Sequence, residues 1–409
     1  MNGTSGSELR SDYGRLVSEA QLRGLRELGH DFIEAGAEGA YLLDEVGRRY
    51  LDCYSGAGTF NLGRRPATVT EALRRGVYAT DQGNFPIISI EKARAAERLG
   101  RFVPGPAECM LFGVVRGEAF DSACKIARGF TGKKDLVAPV GSWFGQTGFA
   151  LSLSAHPHRG DFGSLVPGAR VEVFASRADV VRAVTGDTAA VLVEPVQAEN
   201  HCASLSRELM SALAERCRET GAVLVVDETQ TGFGRTGRRF AFEHFDLLPE
   251  AVILGEALGA GVFPICGTLL SQRLNAFMNA HPLIHLSTFG GSDLGCLVAC
   301  AALEEYERIR PWENAAKQGA RIREALESRT KSAGKGIRSI AGQGLLISLE
   351  LEDAQAAVQF CKGLAGAGVF AKPGRVATQT VVLRPPLTLG DEEVEQLIAA
   401  VAGVAAIDR

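Results

Sequence analysis

No lysine occurs between Lys134 and Lys317, across the centre of a 409-residue chain. The shortage is general, with nine lysines against 35 arginines, but its placement matters more than its size. Any chemistry seated in that stretch has no lysine amine of its own to use. Nine cysteines are scattered without one CxxC pair, which removes the zinc-ribbon and dithiol redox motifs and points to free buried thiols in a reducing cytosol. No apolar run approaches the roughly 18 residues that a membrane helix needs. Residues 1–12 are polar, rich in Gly and Ser, and lack the apolar stretch of a secretory signal, so they read as a disordered N-terminus of a cytoplasmic protein. A net charge of −4 and a pI near 6.1 give no basic surface for nucleic acid or membrane. There is no GxSxG, P-loop or HExxH, and His156, His158 and His201 have no ligand pattern around them, so no metal site is expected.

What is present is an ordinary globular balance, 46% hydrophobic and 22% charged, over a length that suits one large α/β domain with a smaller one. Seven short β-branched runs read as strands: 109–112, 136–139, 171–174, 190–194, 222–227, 251–254 and 265–270. Helical periodicity covers 119–130, 205–220 and 294–309. Alternating strands and helices imply a mostly parallel sheet covered on both faces, with ligands gathered at the carboxyl ends of its strands. Residues 39–55 alternate around Gly47 and read as a hairpin. From about residue 318 there is a helix, strands near 345–351 and 381–383, and a last helix over 391–404.

Two segments carry the strongest signal. Val225-Val226-Asp227-Glu228-Thr229-Gln230-Thr231-Gly232-Phe233-Gly234-Arg235-Thr236-Gly237 is followed by Ile253-Leu254-Gly255-Glu256-Ala257-Leu258-Gly259-Ala260-Gly261. The pair resembles the class III (ω-type) aminotransferases, pyridoxal-phosphate (PLP) enzymes of fold type I. Further landmarks follow in family order: Tyr50-Leu51-Asp52, Asn61-Leu62-Gly63, Glu118-Ala119, Glu194-Pro195-Val196-Gln197, Thr288-Phe289-Gly290-Gly291 and Pro385-Pro386-Leu387. The resemblance spans about residues 39–404. It implies an α/β fold: a large domain over 61–317 with a mostly parallel seven-stranded sheet, and a smaller α+β domain made by 13–60 and 318–409. It also implies a homodimer whose sites lie at the subunit interface. Within it, Asp227 would bond the pyridine nitrogen, Gln230 the ring hydroxyl, and Thr288 a cofactor phosphate across the interface.

The departures fall on the cofactor site. The Schiff-base lysine of the family is here Glu256, and a carboxylate cannot form an imine. The small phosphate loop is here Val115-Arg116-Gly117, without a hydroxyl but with a guanidinium that would meet an anion or fill the phosphate cup. The family's Tyr-His-Gly is here Trp143-Phe144-Gly145, where Trp143 retains a ring for stacking. The arginine expected three residues before Pro-Pro-Leu is Val382, and Arg384 lies two residues later, on the same face if the segment is a strand. With Glu199, Arg384 is the candidate for substrate binding. Three readings follow. In the first, the chain is an enzyme that has abandoned Schiff-base transamination and works without PLP, with Glu256 as acid/base beside Asp227 on an amine, amino-acid or phosphorylated substrate of specialised metabolism. In the second, PLP or pyridoxamine phosphate (PMP) is held non-covalently. In the third, the chain is an inactive scaffold or regulator.

Overall fold

In the computed structural model, residues 5–80, 87–105, 108–163, 165–333 and 336–407 are described. The segment read as disordered, 1–12, differs: residues 6–13 form helix α1 (Gly6–Tyr13). Ser5 and Glu8 close a capping box at its start, so local hydrogen bonding organises a stretch whose composition alone suggests none. Residues 1–4 lie outside the described residues.

The hairpin forms as β2 (Tyr41–Asp44) and β3 (Arg49–Asp52), and a strand with no alternation, β1 (Glu34–Glu38), is added to its edge. All seven strands read from the centre of the sequence form one sheet. They are β4 (Cys109–Gly113), β5 (Asp135–Pro139), β6 (Ala169–Glu172), β7 (Thr188–Val193), β8 (Val223–Asp227), β9 (Ala251–Leu254) and β10 (Cys266–Leu270), in the order β4-β10-β9-β8-β7-β5-β6. Only β10 runs antiparallel to its neighbours, so β4 through β9 share one direction. Their carboxyl ends therefore lie along a single edge. The third strand begins two residues earlier than its apolar content suggests, because its register is set by pairing with β5 at Leu136–Ala169 rather than by Val173 and Phe174.

Helices α2 (Arg116–Thr131), α3 (Arg207–Thr220) and α4 (Asp293–Ile309) form where the periodicity implies them. The two sides of the sheet carry separate apolar clusters. One joins Phe102, Val226, Phe233 and Tyr306; the other joins Phe120, Phe144, Val225 and Ile253. Alternate residues of β8 enter opposite clusters, which is why Val223–Val226 reads as an unbroken apolar run.

The C-terminal part adds β11 (Ser339–Gln343), β12 (Leu346–Glu350), β13 (Val369–Phe370), β14 (Lys372–Pro373), β15 (Thr380–Leu383) and α5 (Asp391–Ile407). A four-stranded sheet runs β11-β12-β15-β14, while β13 pairs with β3 of the hairpin. Leu51 and Cys53 accordingly share a core with Ile347, Phe360 and Val401. All nine cysteines are free, and seven are buried.

His30 packs beside this hairpin, its ring 4.4 Å from that of Phe370, with both ring nitrogens buried and without a hydrogen-bond partner among the described residues. Burial, with Lys372 adding to it, lowers its pKa to about 4 from an ordinary 6.5. The unfolded chain therefore takes up this proton first. Stability falls as pH drops from about 6.5 towards 4, by up to about 3 kcal/mol from this group. Urea midpoints measured between pH 7 and 4.5 should show that slope, and His30→Phe should flatten it.

Candidate functional site at the carboxyl edge of the large sheet

Five of the parallel strands deliver the site. Asp227 ends β8, and its Oδ1 accepts from the Thr229 N–H at 2.8 Å, which turns the chain out of the sheet. Glu256 opens a short turn immediately after β9 and Gly255. A Cβ on Gly255 would lie 2.5 Å from the Thr229 side chain, so glycine is what lets these two turns abut. Arg116 is the first residue of α2, after β4 and with no side-chain cap from Val115. Glu199 lies in the loop beyond β7, and Trp143 beyond β5. Glu256, Arg116, Glu199 and Trp143 border a cleft of about 530 Å³, and Asp227 contacts Arg116 of that lining.

Glu256 Oε1 accepts from the backbone N–H of Arg116 at 2.9 Å. The departing side chain of Arg116 crosses the site, donating through Nη2 to the Trp143 carbonyl at 3.1 Å and reaching Asp227 Oδ2 at 3.4 Å. The buried Glu194 accepts from the Trp143 N–H at 2.7 Å. Burial pushes its carboxyl well above the usual carboxylate range, with nearby Asp227 pushing the same way. The adjoining Glu228 is pushed to about 7 by burial, against bonds from Thr231 and Phe242.

A second group of charges is centred on Glu199, which lines the same cleft. Arg384 Nη1 lies 2.8 Å from Glu199 Oε1, both residues 1% exposed, and also donates to Gln230 Oε1. Glu199 Oε2 accepts from the Arg375 N–H at 3.0 Å. Burial raises the Glu199 carboxyl, but Arg384 and Arg375 outweigh it and hold it below its ordinary value. The two-residue displacement in the sequence is explained here. Val382 packs against Val196, Ala198 and Cys202, while Arg384 meets Glu199 of that same loop.

Of the residues singled out in the sequence, Glu256, Asp227, Arg116, Gly117, Trp143, Gln230, Glu199 and Arg384 come together. A Cβ on Gly117 would lie 2.4 Å from Thr147, so that position is held small by packing. Phe144 differs: it is fully buried, stacked on Phe120 at 4.5 Å between ring centroids, and does not line the cleft. Its backbone follows Trp143, but the apolar side chain turns into the core. Thr288 is exposed and does not reach the cleft of its own chain. The Trp143 ring is already occupied, with the His156 ring stacked 5.4 Å away and the Arg375 guanidinium 5.3 Å from its centroid. Arg375 and Tyr54, whose hydroxyl accepts from Arg375 Nη2 at 3.3 Å, line the cleft and were not singled out. No periodic pattern marks the irregular stretch 374–379 that carries Arg375.

These contacts can be set against the demands of PLP. No lysine lines the cleft among the described residues. The carboxylate that would face the pyridine nitrogen faces Arg116 instead. The helix N–H that would meet a phosphate is bonded to Glu256. Neither an imine nor the usual ring and phosphate contacts fit this arrangement of side chains.

The model of the class III aminotransferase family matches residues 29–404. An uncharacterized aminotransferase of Archaeoglobus fulgidus is 34% identical over 397 residues, covering 97% of this chain and 93% of the relative. The putrescine aminotransferase of Pectobacterium atrosepticum is 31% identical over 367 residues, 87% of this chain and 78% of the relative. Among solved structures, the ornithine aminotransferase of Toxoplasma gondii superposes with a TM-score of 0.91 at 25% identity, covering 99% of this chain and 96% of that one.

Proposed function

The chain belongs to the class III aminotransferase family, and from that premise we propose that it is a divergent enzyme that does not transaminate through a Schiff base and works without PLP. The observation that carries the reading is the contact set of Arg116, which spends its backbone N–H on Glu256 and its guanidinium on Asp227. An inherited cofactor site would need that N–H for a phosphate and Asp227 for the pyridine nitrogen. Glu256 is then the acid/base. Glu256 lines the cleft; its Oε1 is held by the helix, and its Oε2 has no hydrogen bond among the described residues. It can take a proton from, or return one to, a substrate amine or the carbon beside it. Asp227 keeps the Arg116 guanidinium in place, and Glu199 with Arg384 fixes another part of the cleft wall. A homodimer is part of the proposal. Tyr78, Ile88, Leu283 and Phe289 are large apolar side chains left exposed, the last beside Thr288, as an interface would require. A cytoplasmic place in specialised metabolism completes it.

The test is a visible absorbance titration of the purified protein with PLP and, separately, with PMP. No saturable binding is expected of either. Saturable binding with a shifted ring band insensitive to borohydride would replace this reading with a non-covalent cofactor mechanism. Turnover on a panel of amines and amino acids is expected to drop by about 10²- to 10⁴-fold in Glu256→Gln. An unchanged rate would remove Glu256 from the chemistry.

A further inference from the structure

His201, for which the sequence offers no ligand set, belongs to a row of side chains outside the cleft. Its Nδ1 lies 2.9 Å from Ser348 Oγ and its Nε2 2.9 Å from Ser339 Oγ. Ser339 Oγ in turn donates to Glu350 Oε2 at 2.6 Å. The direction of each bond follows from the acid end. A carboxylate only accepts, so Ser339 gives it its one proton and accepts from the Nε2–H of His201. Nδ1 is then the bare nitrogen and accepts from the Ser348 hydroxyl. Ser339, against burial, holds the Glu350 carboxyl below its ordinary value, which keeps that order. Ser348 is wholly buried, so the row holds a shape and delivers no nucleophile.

The backbone supplies a second, independent observation. His201 and Cys202 stand at φ of 51° and 54°, two successive non-glycine residues in the left-handed region. Such a conformation persists only where the surroundings enforce it. The loop is closed by the Gln197 N–H on the Ala203 carbonyl at 2.8 Å and by the Ala203 N–H on that of Asn200 at 2.9 Å. Cys202 packs with Val196, Leu346 and Val382. The His201 ring carries the loop onto β11 through Ser339 and onto β12 through Ser348. Two residues earlier, Glu199 accepts from Arg384 and from the Arg375 N–H on its carboxylate. Its carbonyl accepts from the Val376 and Ala377 N–H groups at 3.1 and 3.0 Å.

We infer that His201 is a positioning residue for the cleft: gripped between Ser339 and Ser348, its ring holds the left-handed turn and so sets where Glu199 presents its carboxylate to Arg384 and its carbonyl to residues 376 and 377. A glycine would adopt the same backbone at less cost, but it would leave the turn without a side chain on β11 and β12. The inference rests on the place of Glu199 in the cleft wall and not on chemistry without a cofactor. Saturable PLP binding would end that reading and leave this one standing.

Amide hydrogen exchange of the full chain tests it, in wild type, His201→Gly and His201→Asn. The reporters are the N–H groups of Arg375, Val376 and Ala377, which bond to Glu199 and not to His201. In His201→Gly they are expected to exchange about 10- to 100-fold faster, while those of Val223–Asp227 in β8 change by less than about twofold. Asparagine suits the left-handed backbone and offers an amide oxygen in place of Nδ1, so His201→Asn should restore part of the protection. It carries the test if His201→Gly does not fold. The second readout is the Trp143 ring, 5.3 Å from the Arg375 guanidinium. In fluorotryptophan-labelled protein its fluorine resonance should shift in His201→Gly and return part-way in His201→Asn, while that of Trp312, in the core, stays. Unchanged exchange at residues 375–377, a rise shared equally by β8, or a Trp143 resonance displaced no more than that of Trp312 would each overturn the inference. His201 would then contribute to overall stability alone, with Glu199 held by its own contacts.

Discussion

Glu256→Lys alone is expected to leave the protein unable to take up PLP, whereas Arg116→Gly combined with Glu256→Lys should bind it as a borohydride-reducible adduct. The single change supplies an amine but leaves the obstacle. The Arg116 guanidinium still lies on Asp227 and the Trp143 carbonyl, across the space a pyridine ring would need. It also removes the carboxylate from the helix N-terminus and puts a second positive charge beside the first, an arrangement that disfavours both. Arg116→Gly removes the long side chain and frees Asp227, so that an anion can reach the first N–H of α2, which Glu256→Lys has already left unbonded. The expected difference between double and single variant is on the order of 100-fold in apparent affinity, about 2.7 kcal/mol. The measurement is cofactor retained after borohydride and gel filtration, read by absorbance and by intact mass. Equal labelling of the two variants would show that Arg116 is no barrier and that the missing amine alone separates this chain from its relatives.

That prediction turns on a contact which the sequence could name only in part. Glu256 stands out on inspection because Gly255 and the apolar strand before it fix its position within one residue. Arg116 is also visible, as charge where small residues belong. Their bond is not visible. It joins residues 140 apart in sequence, and depends on β4 and β9 ending at the same edge although β10 lies between them. The large sheet was legible for a physical reason: strands buried on both faces must be short continuous apolar runs, and seven such runs were there. The two small sheets were less so. β13 and β14 are two residues each, too short to carry a period, and β1 is Glu-Ala-Gly-Ala-Glu, whose strand character comes entirely from pairing with β2. Arg375 was missed for the same reason, since its place is set by a bond to Glu199, 176 residues away. Phe144 was misplaced because adjacency to Trp143 says nothing about which way each side chain turns.

Arg384→Leu is expected to cost about 3–5 kcal/mol at neutral pH, because it strands the Glu199 carboxylate in a site that is 1% exposed. The arginine is not replaceable by its neighbour: Arg375 keeps a backbone bond to Glu199, but its guanidinium stays at 4.0 Å. The pH dependence identifies the cause. In the native protein Glu199 is held below its ordinary pKa, so its contribution is present above the unfolded carboxylate range and is lost as pH falls through the folded value. Without Arg384 the opposing effect, burial, dominates, and the folded carboxyl binds its proton more tightly than the unfolded one. The penalty is then full near pH 7 and fades towards pH 4. Urea unfolding at both pH values should therefore show the two proteins converging in acid. Pairing the change with Glu199→Leu removes the stranded charge and should recover most of the loss at pH 7, since an apolar pair can replace a buried ion pair at little cost. A deficit that is independent of pH and persists in the double variant would place the cost in packing around Tyr54 and Gln230 instead. In that case the Glu199–Arg384 pair would contribute shape rather than charge to the wall of the cleft.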